Sequence, residues 1–263
     1  MRIFWELARR AFERQFAYRS AAFAGLVTNF FFGLLRAAVM VALYHGREEI
    51  AGFNLAQAVT FTGLSQAIIG MMSFFGWYDL MNNVYSGAIA SDLLKPMHLF
   101  SYWLAQDAGR ALASFILRSL PILIAYGFLL GAVWPSSPIQ ILAVVIGLIF
   151  SWLVSFSYRF LINLAAFWTP NALGIARFGF MLTWALSGFM FPLRYFPDWF
   201  VNFSKMTPFP YMVNSLIEIY LGSASGWDMV LALGLQAAWI VGLILLGQLV
   251  LRKGITRLVI VGG

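Results

Sequence analysis

From Ile50 to Tyr78 the chain carries no charged residue, and from Met229 to Leu251 it again carries none. About 20 mostly apolar residues in a helix cross the hydrocarbon of a bilayer. Only 10% of the 263 residues are charged, against about 25% in a soluble domain. Such a chain cannot clothe a globule in charge, so its outer solvent is lipid. The expected fold is an all-α membrane protein.

The same criterion predicts six transmembrane helices. The first runs from about Ser20 to Leu43 and is interrupted by Arg36, and the second lies within Ile50–Tyr78. A segment of mixed character follows, 79–110, containing Asp79, Asp92, Lys95, Pro96, Asp107 and Arg110. The third span is expected from Leu112 to Trp134, ended by Pro135-Ser136-Ser137-Pro138, because proline lacks an amide donor and restricts the residue before it. The fourth is expected over Ile139–Trp168, the fifth over Phe178–Phe191 and the sixth over Met229–Leu251. The uncharged run of the fifth, Phe178 to Leu193, is short and needs Arg177 or Arg194 at an interface. Residues 192–226 hold four of the nine prolines and are amphipathic.

Lysine and arginine near span ends set orientation. With the N-terminus inside, the inner segments hold Arg2, Arg9, Arg10, Arg14, Arg19, Lys95, Arg110, Arg177, Arg252, Lys253 and Arg257, and the outer ones only Arg47, Arg194 and Lys205. Eleven against three places both termini in the cytoplasm. The net charge of +7 is then a property of inner loops rather than a sign of nucleic-acid binding. Residues 1–19 are too charged for too long to be a cleavable signal and are expected to be retained. There Ile3, Phe4, Leu7, Ala8, Ala11, Phe12 and Phe16 recur at helical spacing opposite Arg2, Glu6, Arg9, Arg10 and Glu13. That pattern suits an interfacial helix on the inner leaflet; a cytoplasmic helix packed on protein would show the same pattern. Residues 20–263 form one membrane domain.

Several chemistries are excluded. A phosphate-binding Walker loop needs Gly-Lys before Ser or Thr, and the three lysines follow Leu94, Ser204 and Arg252. The chain therefore has no such ATP site and is not expected to be an enzyme. With no Cys it has no thiolate site, and His45 and His98 fall on opposite sides of the membrane, so no metal centre and no bound cofactor are expected. Ion-coupled transporters place carboxylates inside the bundle; here the ten acids are all assigned to loops or span ends, with Glu218 alone in a segment that can dip into the membrane. The chain thus outlines a transport pathway without an energy source, which points to a partner that supplies one. Arg36, Arg118 and Arg159 fall within spans. The last two lie in inner halves and can snorkel to the interface; structural pairing or substrate contact is open to all three.

Two segments carry a family resemblance. Ser187-Gly188-Phe189-Met190-Phe191-Pro192, then Pro197-Asp198-Trp199 and Pro208-Phe209-Pro210-Tyr211, match small-Gly-x-x-Phe-Pro, Pro-x-Trp and Pro-x-x-Tyr. Ser86-Gly87-Ala88-Ile89-Ala90-Ser91-Asp92-Leu93-Leu94-Lys95-Pro96 places a Gly before a Leu-Leu-Lys-Pro run. In both, the chain resembles the type-two ABC exporter permeases, and Glu218-Ile219-Tyr220-Leu221-Gly222 looks like a bacterial branch of that family.

The resemblance implies a layout of six spans, an N-terminal interfacial helix and a large last outer loop. It implies a coupling helix at Ile89, Asp92, Leu93, Leu94, Lys95 and Pro96, seated in a groove of an ATP-binding subunit. It implies re-entrant helices over 192–226 that cap the outer end of a path, with Gly188, Pro192, Pro197, Trp199, Pro208 and Tyr211 as their markers. The partners it implies are two ABC ATPases, which hold ATP and Mg, and a second permease, identical or related. The implied role is export of amphipathic, lipid-like or drug-like cargo by alternating access in the inner membrane of a bacterium. Phe31, Arg36, Met71, Phe74, Phe180 and Met181 are pathway candidates; lipid-facing or core packing is the commoner use of such side chains. A stand-alone channel or ion-coupled secondary transporter is the competing reading. A lipid-modifying enzyme would need an acid–base cluster that the sequence lacks.

Overall fold

The computed structural model describes residues 2–17, 19–74 and 76–257. Helix α1 is Arg2–Ala17 and α2 is Arg19–Leu43. A two-residue hairpin, β1 (Glu49–Ile50) with β2 (Phe53–Asn54), leads into α3, Leu55–Met72. Two short helices, α4 (Asp79–Tyr85) and α5 (Ile89–Leu93), form an elbow. Helix α6 (Leu99–Ser114) continues through a π-helical turn, Phe115–Ser119, into α7, Leu120–Leu130. Helix α8 is Pro138–Asn163, with a 3-10 turn to Phe167, and α9 is Ala172–Leu186. Two further short helices, α10 (Asp198–Lys205) and α11 (Asn214–Tyr220), precede α12, Gly226–Ile255.

Among the described residues five helical runs are long and apolar enough to cross a membrane: Ser20–Leu43, Leu55–Met72, Leu99–Leu130, Pro138–Phe167 and Gly226–Ile255. The chain is therefore an all-α, multi-pass membrane protein. A sixth apolar helix, α9, is shorter, at 15 residues. It begins before the uncharged run that predicts it, so Arg177 lies inside the helix, and it stops at Leu186, where Ser187-Gly188 turns the chain.

Local chemistry explains the boundaries. Asn54 accepts the Gln57 amide and the Gln57 side chain returns to the Asn54 amide, a closed capping box that starts α3. Ser137 caps α8, and Pro138 at its first position costs no hydrogen bond. Helix α3 is buried over most of its length, so it is the central post. The main core gathers α3, α8, the turn after α9 and α11 around Phe61, Phe74, Val154, Phe189, Met212, Val213 and Ile217.

The third crossing differs from its expected limits. Its helix starts at Leu99, not Leu112, and absorbs Asp107 and Arg110, which the sequence places in a loop. Helix α1 lies along α6. Ala8 and Ala11 are buried there, and a Cβ on Gly109 would run into the Ala8 carbonyl and the Phe12 amide. Small residues let two helix backbones approach this closely. Ile3 and Trp5 stay exposed on the flank of α1, so the helix is packed on protein along one face and open along another.

Candidate functional site

The elbow is built from the 3.6-residue repeat. Ile89 is 1% exposed and packs with Trp77, Leu80, Leu99 and Phe100. Asp92, one turn on, is 3% exposed. Its carboxylate accepts the Asn83 amide at 2.8 Å and the Lys95 ammonium. The ammonium also lies over the Tyr102 ring, 3.6 Å from its centre. Burial works against the Lys95 charge, but the bonds to Asp92 and Tyr102 outweigh it and hold its pKa above the ordinary value. Asp92 thereby ties α4, α5 and the start of α6 together. Leu93 is half-buried and Pro96 exposed. Leu94, between them, is 87% exposed. An isobutyl group held that far out by a rigid clamp is a knob, and a single exposed leucine in an otherwise folded elbow suits an apolar socket on another surface.

Behind the elbow lies a polar knot that the sequence does not announce. Arg159 of α8, 2% exposed, donates to both oxygens of Asp107, at 3.1 and 2.8 Å. Arg110 Nε donates to Asp107 Oδ1 at 2.8 Å, and the Trp152 indole to Oδ2 at 2.8 Å. Arg110 also caps the end of α3 through the Gly70 and Met71 carbonyls, at 2.9 and 2.7 Å, while Ser155 takes Met72 at 3.0 Å. Asn163 receives the Met81 amide and donates to the Trp77 carbonyl. The knot therefore joins α3, α4, α6 and α8. Asp107 is buried inside the bundle, which corrects its assignment to a loop. Arg159 is ion-paired rather than snorkelling. The signal available in the sequence was an in-span arginine requiring a counter-charge, and Asp107, three residues before Arg110, meets that requirement.

At the opposite end, the segment after α9 is tied down by backbone bonds. Gly188 has φ +76°, and an added Cβ would fall 2.8 Å from Asn214 Oδ1. Asn214 donates its amide to the Ser187 carbonyl and accepts the Leu193 amide, at 3.1 and 3.0 Å. Arg36 of α2 donates to Ser65 at 2.9 Å and to the Phe189 and Met190 carbonyls, and stands over the Phe189 ring. Gly188→Ala is expected to cost about 1–2 kcal/mol from the left-handed backbone alone, read as a lower melting temperature of the detergent-solubilised chain. An unchanged melt would show that this turn is not rigid.

The short helices are seated from below. Gln140 of α8 caps the Ile219 and Tyr220 carbonyls of α11, at 3.0 and 2.8 Å, and Gln236 of α12 bonds Ser151 and the Tyr211 carbonyl, each at 2.9 Å. Pro192 and Tyr211 are buried, Pro208 is half-buried and Pro197 is exposed. Burial pushes the Tyr211 hydroxyl pKa up. In α10, Trp199 and Phe203 face outward while Phe200 turns in to the core. Arg194 pairs with Glu218 at 3.2 Å and reaches the Ala51 carbonyl of the hairpin. Tyr195 and Tyr44 share a 2.7 Å hydroxyl contact under it.

The pathway candidates are not brought together. Met71, Phe74 and Phe180 are buried: Phe74 stacks on Phe189 with ring centres 5.5 Å apart, and Phe180 meets Tyr78 edge to face. Arg36 is engaged by carbonyls. Phe31 of α2 and Met181 of α9 are exposed.

Residues 29–262 match the model of a family described as ABC-2 family transporter protein. No curated protein and no solved structure matches the chain. The match covers nearly all of the helical bundle, from the elbow with its leucine knob to the tied-down turn beyond α9, and the chain belongs to the ABC-2 family of transporter proteins, as a membrane permease of an ABC transporter that works with ATP-binding partners.

Proposed function

We propose that this chain is the membrane subunit of an ATP-driven exporter in a bacterial inner membrane. It crosses six times, through the five long helical runs and through α9 with the turn that follows it, and both ends are cytoplasmic. The distribution of lysine and arginine supports this orientation. The elbow then faces the cytoplasm and acts as the coupling helix. The segment 192–226 lies on the outer side, with α10 and α11 as a re-entrant pair whose exposed Trp199 and Phe203 suit the headgroup layer.

The chain has no ATP site or cofactor of its own and is not an enzyme; ATP and Mg sit on two ABC ATPases. The exposed Phe31 and Met181 lie on helices available to a second permease, identical or related, and a path between two such bundles suits amphipathic or drug-like cargo moved by alternating access. Ion coupling is disfavoured by Asp107, because a carboxylate held by two guanidinium groups is a poor proton carrier.

Leu94 is the observation that carries this reading. It is the knob, and the Asp92 clamp connects it to α6 and hence to the Asp107 knot. Nucleotide-driven closure of the ATPases would press on Leu94 and move α3 and α6 together. Leu94→Glu is expected to cut substrate-dependent ATP hydrolysis of the complex with its cognate ATP-binding subunit at least about tenfold, since a buried charge without a partner costs more than the roughly 1.4 kcal/mol that a decade requires. The variant chain should fold normally, because Leu94 is exposed. Full activity and full complex recovery with Leu94→Glu would refute the coupling role.

A further inference from the structure

Arg118 differs from Arg36, Arg110 and Arg159. Arg36, Arg110 and Arg159 are each bonded to carbonyls, hydroxyls or Asp107. The Arg118 guanidinium donates no hydrogen bond and joins no ion pair among the described residues. It is half-buried and lies within the π-helical turn Phe115–Ser119, a local widening of the helix that recurs at functional sites.

Its surroundings are set by two glycines. The guanidinium lies over Gly25 of α2, where an added Cβ would fall 2.8 Å from Arg118 Cζ, and its stem passes Gly70 of α3, where a Cβ would fall 3.5 Å from Cδ. Two glycines from neighbouring helices thus let the arginine side chain lie directly against their backbones. Helical side chains lean toward the N-terminus, so in the orientation proposed above Arg118 leans toward the cytoplasm. Arg118 lies 12 residues from Leu130, about 18 Å along the helix axis, which puts its Cα inside the hydrocarbon of the inner leaflet. The nearby carboxylate, Asp107, is already shared by Arg110 and Arg159 and offers Arg118 nothing. A cation held in lipid with open donors calls for an anion that arrives with its own acyl chain. Guanidinium donors in a planar fork fit phosphate oxygens.

We propose that Arg118, where the π-helical turn meets α2 and α3, binds the phosphate headgroup of an anionic membrane amphiphile in the inner leaflet. The amphiphile is either a resident lipid or the cargo, and the same contact serves both. The site deepens the transport reading through its orientation. Its binding test uses this chain alone, so it fails or succeeds independently of any ATPase.

The test is native mass spectrometry of the full chain in detergent, titrated with phosphatidylglycerol or with diacylglycerol of the same acyl chains. Wild type is expected to retain phosphatidylglycerol and release diacylglycerol. Arg118→Gln is expected to lower phosphatidylglycerol retention about tenfold, as loss of one charge-assisted contact does, and Arg118→Lys to restore most of it. Equal retention of the two lipids by wild type overturns the proposal even if the variants do not fold, and so does equal retention of phosphatidylglycerol by wild type and a well-folded Arg118→Gln. Once binding is found, proteoliposomes of the complex with its ATPase separate the two sources. Bound phosphatidylglycerol that is lost on adding ATP is cargo, and bound phosphatidylglycerol that stays is resident lipid.

Discussion

Asp107→Ala is expected to destabilise the bundle by about 3–5 kcal/mol, the usual cost of removing one partner from a buried ion pair. Arg159, 2% exposed, would be left in the core with no counter-charge, and Trp152 and Arg110 would lose the acceptor they share with it. The measurement is the fraction of monodisperse protein after stepwise heating in detergent. A melting temperature within a degree or two of wild type would show that water or another carboxylate reaches Arg159. The double variant Asp107→Leu/Arg159→Met should recover much of the loss, because replacing both members of a buried pair by apolar groups of similar size is often close to neutral. The exposed pairs on α1, Arg9 with Glu13 and Arg10 with Glu6, should give little on the same assay, since solvent screens them.

Gly109→Val carries the second large effect. The new Cβ would meet the Ala8 carbonyl and the Phe12 amide of α1, and backbone atoms cannot rotate aside as a side-chain tip can. Overpacking of this kind costs roughly 1–3 kcal/mol, so the expected outcome is release of α1 from α6 rather than a small adjustment. Limited trypsin digestion reads it directly: cleavage at Arg9, Arg10 and Arg14 should speed up several-fold while the rest of the bundle stays resistant, because local opening of the helix is what exposes those bonds. If the digestion pattern matches wild type, α1 is held by something other than the Ala8–Ala11–Gly109 seam.

The long uncharged runs make the crossings legible because lipid imposes a length and a polarity on every spanning helix. The limits of the third run were not legible. Asp107 and Arg110 read as loop charges, and only the placement of Arg159 on a neighbouring helix shows that they neutralise one another inside the bundle. The elbow was legible as a segment, but the roles within it were not. Leu93 and Leu94 are identical as letters, and the helical phase fixed by the burial of Ile89 and Asp92 decides which one projects. Phe74 and Phe180 could not be told from Phe31 and Met181, because in a membrane protein lipid-facing and core-facing residues are equally apolar. The segment beyond the fifth helix was legible through its prolines, whereas its anchoring by Gln140, Gln236 and Arg36 depends on polar residues from distant parts of the chain.

The brevity of α9 bears on the bilayer itself. Its 15 residues rise about 22 Å, against hydrocarbon about 30 Å thick. If α9 is one of the six crossings proposed above, the turn through Phe189 and Met190 covers only part of the remainder, because Arg36 holds its carbonyls in place. Lipid alongside would then have to shorten to fit, at fractions of a kcal/mol per ångström of mismatch. In the six-span reading proposed above, the protein reshapes the sheet it is embedded in and leaves a dimple in the outer monolayer beside α9, the shortest of the six crossings.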